Sequence, residues 1–305
     1  MSDTSPRKMG QHLAGMLCML GAVSILSIMD AIVKWLASGY PTMQIVFFRN
    51  AFAFLPTILY LIASGLALRD LRTRRIGGHF MRAALGVGAM ITFFYALGHM
   101  PLADVIAIAF AAPIFMTALS IPLLGEKVGP HRWAAVIAGF AGVLVMVRPG
   151  ASGFDWVALI ALASVVLYAL AMIQIRVLSR TESSASIVFY LALFGTLFSA
   201  AFLPSQWVTP DPTGWVLLIL VGLLGGSGQI LLTQAFRLAP VALVAPFDYS
   251  AMIWAVGLGW LLWADVPALT TLVGAALVAA AGLYIMQREA RQERLAAAQP
   301  LKRST

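Results

Sequence analysis

A few charged residues lie within long apolar stretches of this sequence, and they are the side chains best suited to chemistry. Asp30 and Lys34 stand four residues apart and so share one face of a helix. Arg49 lies in the next apolar stretch, and Asp248 lies in a much later one. A charge in the middle of a bilayer costs about 2.5–3.5 kcal/mol on insertion scales, so such residues pair with each other or face water. These residues therefore indicate either ion pairs between helices or a polar site that binds a solute or carries protons.

The first three of these charges are predicted to lie near one another. At about 1.5 Å of rise per residue, Asp30 and Arg49 fall at a common depth of roughly 10 Å. One interpretation is a structural ion cluster of Asp30, Lys34 and Arg49 that joins the first two helices. The other is an outer gate, or an anchor through Arg49 for an anionic or zwitterionic group. Asp248 follows Pro246, a residue that can kink a helix, and is a candidate for substrate contact or proton coupling.

A second set of candidates consists of polar or aromatic side chains inside the apolar stretches. They are Gln174, Tyr95, Tyr168, Tyr249 and Trp254. A cavity for a flat heteroaromatic solute would need rings for stacking and a few hydrogen-bonding groups, although ordinary packing also explains such residues. Hinge and packing positions are expected at Pro113, Pro246, Gly86 and Gly225, because small residues allow helices to approach closely.

The composition excludes a soluble domain, and the missing motifs argue against an enzyme or a metal-binding protein. Of the 305 residues, 61% are hydrophobic and 10% are charged, whereas a soluble domain carries about 25% charged residues. The single cysteine, Cys18, excludes a disulfide framework, and the four histidines form no ligand-like pair. Gly125-Glu126-Lys127 lacks the glycine spacing of a phosphate loop. We therefore expect no catalytic residues, metal, cofactor or nucleic-acid partner, and no process driven directly by a nucleotide.

The apolar stretches predict an all-α integral membrane protein with ten spanning helices. The predicted helices are 12–36, 42–65, 79–98, 102–124, 133–148, 156–178, 184–203, 214–236, 240–263 and 268–286. If both termini are cytoplasmic, every Lys and Arg except Lys34, Arg49 and Arg148 falls on the cytoplasmic side, in agreement with the positive-inside rule. That count treats Arg82 and Arg176 as charges of cytoplasmic loops.

An internal repeat gives this arrangement a mechanical meaning. Residues 101–126 recur loosely as residues 240–265, at an offset of 139. The matched pairs include Pro101/Pro240, Ala112/Ala251, Glu126/Asp265 and, nearby, Gly86/Gly225. Because each half contains five predicted helices, an odd number, the second half must enter the membrane from the opposite side. Inverted repeats of this kind are typical of secondary transporters, although a purely structural duplication would produce the same pattern.

The predicted organisation divides the chain into five parts. They are a cytoplasmic leader (1–11), a first five-helix repeat (12–148), a linker (149–155), a second five-helix repeat (156–286) and a basic cytoplasmic tail (287–305).

Four segments of the sequence resemble one known superfamily. They are MDAIVKWLA (29–37), FFRNAFAFLP (47–56), FFYALGHMPLADVIAIAFAAPIFMTALSIPLLGEKVG (93–129) and QAFRLAPVALVAPFDYSAMIWA (234–255). In order and spacing the chain resembles EamA-type members of the drug/metabolite transporter superfamily. It departs at Trp263-Ala264-Asp265, where many relatives read Phe-Gly-Glu. The resemblance is greatest to the bacterial branch that includes riboflavin and S-adenosylmethionine uptake proteins, and it implies transport while leaving cargo and direction open.

We expect a secondary transporter of a small organic metabolite in the bacterial inner membrane, with membrane lipid as its surroundings. Riboflavin uptake is the first candidate, because the cavity is predicted to be aromatic with few fixed charges. S-adenosylmethionine uptake is the second, since its sulfonium would favour an acid such as Asp248. The resemblance is equally compatible with export of an amino acid, drug or metallophore, and lipid flipping is a candidate from a different class of function. A homodimer is compatible with the sequence.

Overall fold

The computed structural model describes residues 6–65, 71–124, 130–147, 156–179, 181–239 and 241–298, and all the regular elements in these ranges are helical. The helices are α1 (Pro6–Leu36), α2 (Thr42–Ala63), α3 (Ile76–His99), α4 (Leu102–Ala109), α5 (Ala112–Leu124), α6 (Pro130–Val147), α7 (Trp156–Leu178), α8 (Ser184–Ala200), α9 (Leu203–Gln206), α10 (Pro212–Leu238), α11 (Val241–Val244), α12 (Ala251–Trp263) and α13 (Leu269–Ala298). A 3-10 helix, Ala245–Ser250, separates α11 from α12.

Six helical segments in the described ranges are long and apolar enough to cross a membrane. They are Gly10–Leu36, Thr42–Ala63, Ile76–His99, Leu102–Ser120, Trp156–Leu178 and Pro212–Leu238. Three shorter apolar helices are Trp133–Val147, Ala185–Ala200 and Leu269–Ile285. Helices suit lipid because each satisfies its own backbone hydrogen bonds. The chain is therefore a multi-pass membrane protein.

Two of the predicted spanning helices, 102–124 and 240–263, are interrupted. The first is divided between α4 and α5 at residues 110–111, and the second contains the 3-10 helix. Pro113 lies in the first turn of α5, and Pro246 lies near the start of the 3-10 helix. A proline has no backbone N–H to continue the hydrogen-bond ladder of the preceding turn, which fits the place of both prolines at the start of a new helix. The helices after the interruptions, α5 and α12, begin and end 139 residues apart and contain 13 residues each.

Other helices of the two halves share a boundary at similar spacing. The pairs 142 residues apart are the ends of α1 and α7 (Leu36, Leu178) and the starts of α2 and α8 (Thr42, Ser184). The pairs 139 residues apart are the ends of α3 and α10 (His99, Leu238) and the starts of α6 and α13 (Pro130, Leu269). The repeat seen in the sequence thus recurs in the helix boundaries.

The packing of the helices is also repeated between the halves. Helix α1 packs on α10 as α7 packs on α3, and α2 packs on α10 as α8 packs on α3. Helix α12 lies against α1 as α5 lies against α7. Each of these helix pairs therefore has a corresponding pair made by the counterpart helices.

The contacts at the ends of α3 define two ends of the helix bundle. Lys34, at the end of α1, donates a hydrogen bond to the carbonyl of Met100, just after α3, with 2.7 Å between Nζ and O. Glu182, just after α7, lies 3.3 Å from Nε2 of His79, near the start of α3. Helices α1 and α7 therefore run in opposite directions. We call these the Lys34 end and, after the last charged residue of α7, the Arg176 end.

Candidate functional site

A cavity of about 600 Å³ lies between the helices and is lined by both halves of the chain. We call it the central cavity. Cavities of about 300–1,000 Å³ are typical of sites for small organic ligands. Its lining includes residues of α1, α2, α3, α4, α5, α7, α8, α10, α12 and α13, and of the 3-10 helix.

The central cavity is not symmetrical along the bundle. Its wall uses residues between 19 and 30 of α1, 82 and 93 of α3, 164 and 176 of α7, and 229 and 236 of α10. Helices α1 and α3 begin at the Arg176 end, whereas α7 and α10 finish there. The cavity therefore extends from the middle of the bundle towards the Arg176 end.

Five charged side chains lie on the wall of the central cavity: Asp30, Arg49, Arg82, Arg176 and Asp248. Three of them are almost fully enclosed, with exposed fractions of 8% for Asp30, 8% for Arg49 and 5% for Arg82. This finding corrects the expectation of a cavity with few fixed charges. The wall also carries the polar side chains Ser27, Thr117, Ser120, Ser164 and Gln229.

Arg49 and Arg82 are not saturated by hydrogen bonds. The Nε atom of each is buried and has no partner among the described residues. Arg49 makes a long hydrogen bond of 3.4 Å from Nη1 to Oδ1 of Asn50. It also interacts electrostatically with Asp30, but the two make no ion-pair contact among the described residues.

Two glycines of the repeat make room for these guanidinium groups. A Cβ atom on Gly225 of α10 would lie 3.0 Å from Nε of Arg49 and 3.1 Å from the sulfur of Met29. A Cβ atom on Gly86 of α3 would overlap Nη1 of Arg82. Gly86 and Gly225 were expected to be packing positions, and in both cases what packs on the glycine is an arginine of the cavity wall.

Asp248 reaches the central cavity from the 3-10 helix, and its side chain is open to the cavity. Tyr168 of α7 lies within electrostatic range of both Asp248 and Arg82. Tyr249 packs edge-on against Phe110, with ring centroids 4.9 Å apart, and its hydroxyl is buried without a described hydrogen-bond partner. Polar groups thus continue across the wall from Arg82 to Asp248.

Lys34 does not share the cavity with Asp30 and Arg49, so the predicted three-membered cluster is divided. Besides its hydrogen bond to Met100, its Nζ atom lies 3.8 Å from Oδ2 of Asp265 and 5.2 Å from the ring centroid of Trp263. It therefore joins the Lys34 end of α1 to the segment after α12.

Three further candidates also lie away from the central cavity. Tyr95 stacks on His99, with ring centroids 4.1 Å apart, and is 37% exposed. Trp254 is 37% exposed as well, and Gln174 faces Gly78. Among the hinge candidates, Pro113 and Gly86 line the cavity, but Pro246 and Gly225 are not part of its lining.

Arg82 and Arg176 are cavity residues whose positions in the sequence do not indicate this role, because both resemble charges of cytoplasmic loops. Arg82 lies six residues after Ile76, where α3 begins, so it is well inside the helix. Arg82 stands four residues before Gly86 and therefore shares its helix face. Because Gly86 matches Gly225 in the repeat and is expected to pack on another helix, this spacing is a signal that Arg82 lies inside the bundle. In the described ranges no group of three or more His, Cys, Asp or Glu side chains could hold a metal ion.

Comparisons with known proteins identify the family. Residues 13–148 and 155–287 each match the EamA-like transporter family. The chain is 33% identical to a riboflavin transporter of Rhizobium johnstonii, over 92% of this chain and 94% of that one. It is 32% identical to a pseudopaline exporter of Pseudomonas aeruginosa (88% and 94% covered). An S-adenosylmethionine uptake transporter of Rickettsia prowazekii is 25% identical (91% and 94% covered).

A solved crystal structure shares the fold, with a TM-score of 0.65 over 93% of this chain and 99% of that chain at 18% identity. The relatives are transporters and not enzymes. With both halves of its sequence matched, the chain belongs to the EamA-like transporter family of the drug/metabolite transporter superfamily.

Proposed function

We propose that the protein is a secondary transporter that moves a small organic metabolite across the bacterial inner membrane. The observation that carries this proposal is the central cavity, which both halves line and which extends towards one end of the bundle. A carrier needs such a cavity because its solute must be enclosed by two parts that can move against each other.

The proposed architecture is two inverted five-helix repeats, residues 12–148 and 156–286, with residues 1–11 and 287–305 at the cytoplasmic termini. Three observations support it: the repeated helix boundaries, the repeated packing pairs and the opposite directions of α1 and α7. If both termini are cytoplasmic, the Arg176 end faces the cytoplasm and the structure corresponds to an inward-facing state.

Asp248 is the proposed residue for substrate contact or coupling. It lies in the interruption between α11 and α12, where the backbone departs from an α-helix beside the cavity. Transporters use such interrupted helices to bring polar groups to a solute at the middle of the membrane. Arg49, Asp30, Tyr168 and Tyr249 are the other candidates on the wall.

Riboflavin uptake is the first proposed cargo. The support comes from the relatives named riboflavin transporters and from the aromatic side chains of the wall, among them Phe93, Phe110, Tyr168 and Tyr249. A flat ring system stacks on such side chains while a few polar groups fix its orientation. The relative named a pseudopaline exporter keeps export open as the opposite direction.

S-adenosylmethionine uptake is the second proposed cargo, and one observation favours it. Asp248 is open to the cavity, and no Lys, Arg or His of the described ranges forms an ion pair with it. A carboxylate in that situation would attract a sulfonium, because an unpaired charge in the membrane is costly.

Growth rescue tests both cargo and direction. The chain would be expressed in bacterial strains that cannot make riboflavin, S-adenosylmethionine or individual amino acids, with an empty vector as the control. We expect growth of the riboflavin-requiring strain on a low external concentration of that nutrient. Rescue of another strain alone would replace the cargo, and no rescue despite protein in the membrane would contradict uptake and favour export.

A further inference from the structure

The central cavity contains two arginines whose charges are incompletely compensated. Arg49 comes from α2 and Arg82 from α3, and each lies within electrostatic range of the other. Both are more than nine-tenths buried, both line the cavity, and both have an unpartnered Nε atom in the described part of the chain. Asp30 interacts with Arg49 from a distance, and no described carboxylate forms an ion pair with Arg82.

Such an arrangement requires an acceptor. Buried charges need partners, and two positively charged guanidinium groups repel each other when no acceptor lies between them. A guanidinium is planar and presents its N–H donors as a fixed fork, so it fits a flat group that offers two lone-pair atoms side by side. The glycines beside these arginines give the guanidinium groups space, since a Cβ on Gly225 would crowd Nε of Arg49 and one on Gly86 would overlap Nη1 of Arg82.

We infer that Arg49 and Arg82 jointly bind a planar acceptor group of the transported solute, with two lone-pair atoms that face the guanidinium forks. This inference rests on the proposed transport function, because it assigns the solute's polar contact within the transport cavity. Tyr168 then connects this acceptor site to Asp248, which suits a donor or cationic group at the other end of the solute. The cavity is therefore specific for a solute with an acceptor at one end and a donor or cation at the other.

The acceptor chemistry has two possible sources among the proposed cargoes. One is the carboxylate of S-adenosylmethionine, whose sulfonium would then face Asp248. The other is the pyrimidinedione part of the riboflavin ring. There the C2 carbonyl oxygen lies beside the acceptor nitrogen N1, and the C4 carbonyl oxygen lies beside the acceptor nitrogen N5. Both are flat and bidentate, so both match a guanidinium fork.

Binding to the purified full-length chain in lipid nanodiscs tests the assignment. The variants are Arg49→Gln and Arg82→Gln, with Arg49→Lys and Arg82→Lys as charge-retaining partners. Arg74→Gln is the matched control, because Arg74 is exposed and is not part of the cavity wall. The probes are riboflavin, lumiflavin, S-adenosylmethionine and decarboxylated S-adenosylmethionine.

We expect each Gln variant to bind the preferred probe about ten- to a hundredfold more weakly, the range for a lost charged hydrogen bond. The Lys variants should recover only part of the affinity, because an ammonium group lacks the fork. Arg74→Gln should bind as the wild type does. Melting temperatures close to that of the wild type ensure that a weak variant is still folded.

The remaining probes distinguish the two sources. If the ring edge is bound, lumiflavin, which lacks the ribityl chain, loses affinity in Arg82→Gln by the same factor as riboflavin. If the carboxylate is bound, decarboxylated S-adenosylmethionine binds the wild type as weakly as S-adenosylmethionine binds Arg82→Gln. Gln variants that keep wild-type affinity, or a wild type that binds none of the probes, overturn the assignment.

Failure of this inference can be separated from failure of the proposed function. Growth rescue that is undiminished in the folded Gln variants would leave the transporter in place and remove the arginine site. Arginine-dependent binding without transport in any strain or vesicle would keep the site and remove the transport function.

Discussion

The two ends of the helix bundle satisfy their polar groups in different ways. The Lys34 end is crossed by hydrogen bonds between segments distant in sequence: Lys34 to the carbonyl of Met100 (2.7 Å), Gln44 to and from the backbone of Val208 (2.8 and 3.0 Å), and Tyr40 to Asp211 (2.7 Å). Towards the Arg176 end lies the central cavity, with Arg49 and Arg82 incompletely bonded on its wall. The described contacts that cross this second end include the pair of His79 and Glu182, at 3.3 Å, and the hydrogen bond that Nε2 of Gln234 donates to the Tyr60 hydroxyl, at 2.8 Å.

This difference indicates that the Lys34 end is the closed one and that hydrogen bonds between distant segments hold it closed. A typical hydrogen bond contributes about 0.5–1.5 kcal/mol net, so the Lys34 end is held by several modest bonds and not by one strong one. A set of weak bonds can be exchanged for another set when the solute binds, as alternating access requires. Arg49 and Arg82, which are incompletely bonded, are the corresponding polar groups towards the Arg176 end that we propose bind the solute.

The largest expected effect comes from Asp248→Asn at the cavity. We expect solute uptake into proteoliposomes to fall about ten- to a hundredfold, because an amide carries neither the charge nor the proton of the acid. Labelled uptake measured across a pH series checks this. Asp211→Asn makes the same chemical change at the Lys34 end and should leave uptake within about a factor of two. Unchanged transport with unchanged pH dependence in Asp248→Asn would remove this acid from the mechanism.

A smaller effect is expected from Gly225→Ala, which adds a methyl group beside Arg49. The new Cβ would lie 3.0 Å from Nε of Arg49, so the guanidinium must move by a few tenths of an ångström. We expect uptake to fall by about two- to fivefold while the melting temperature changes little, because a flexible side chain absorbs the contact. Gly257→Ala is the control, since nothing lies within 4 Å of a Cβ there. Equal effects of the two substitutions would contradict a role for Gly225 in positioning Arg49.

Much of the fold could be predicted because helices in lipid are long and apolar. The predicted helix 156–178 coincides with α7 (Trp156–Leu178), and the offset of 139 found in the sequence reappears in the bounds of α5 and α12. The predicted spans 12–36 and 268–286 agree with the apolar segments Gly10–Leu36 and Leu269–Ile285, although the helices themselves extend further, from Pro6 in α1 and to Ala298 in α13.

The site was predicted only in part, and the reason is physical. Lipid is as apolar as a protein interior, so the sequence of a spanning helix carries little information about which face meets lipid and which meets the cavity. Tyr168 and Tyr95 could not be told apart on these grounds, yet Tyr168 lines the cavity and Tyr95 does not. Lys34 shares a helix face with Asp30, but its long side chain reaches the carbonyl of Met100 instead. Partners of this kind depend on tertiary contacts that spacing within one helix does not specify.

At the Lys34 end, Lys34→Gln should weaken closure and leave the central cavity unchanged, because Lys34 is not part of its lining. The change removes a charged hydrogen bond to Met100 and the attraction to Asp265, and we expect the equilibrium constant between the closed and open states to fall by up to about tenfold. Cysteine labelling measures this in a Cys18→Ser background with Ala103→Cys, a position that is 4% exposed near the Lys34 end. Labelling by a water-soluble thiol reagent should become faster in Lys34→Gln. Ser38→Ala is the control, because the Ser38 hydroxyl bonds only to the carbonyl of Trp35 among the described residues.

The smallest effect is expected from Tyr40→Phe, which removes one link of the closed end and reports through pH. The Tyr40 hydroxyl, and then the backbone N–H of Gly214, donate to Asp211 and hold the pKa of that carboxyl below its ordinary value of 3.8. The same hydrogen bond is the main cause that raises the pKa of Tyr40 above 10.0. A depressed carboxyl pKa stabilises the folded state above the unfolded pKa, and this contribution is lost as pH falls through the folded pKa.

The sign for Tyr40 is the opposite. Its raised pKa contributes stability below the unfolded pKa of about 10, which is lost as pH rises through the folded pKa. The difference in melting temperature between wild type and Tyr40→Phe should therefore be constant between about pH 5 and pH 9 and shrink outside that window. It should also be smaller than the difference in melting temperature between wild type and Lys34→Gln, because Asp211 is exposed and Tyr40 only half-buried, so solvent screens their interaction. A difference that persists at acid pH would mean that Tyr40 stabilises the Lys34 end by packing and not through Asp211. The Lys34 end would then be held closed by packing as well as by exchangeable hydrogen bonds, and it would differ less from the Arg176 end.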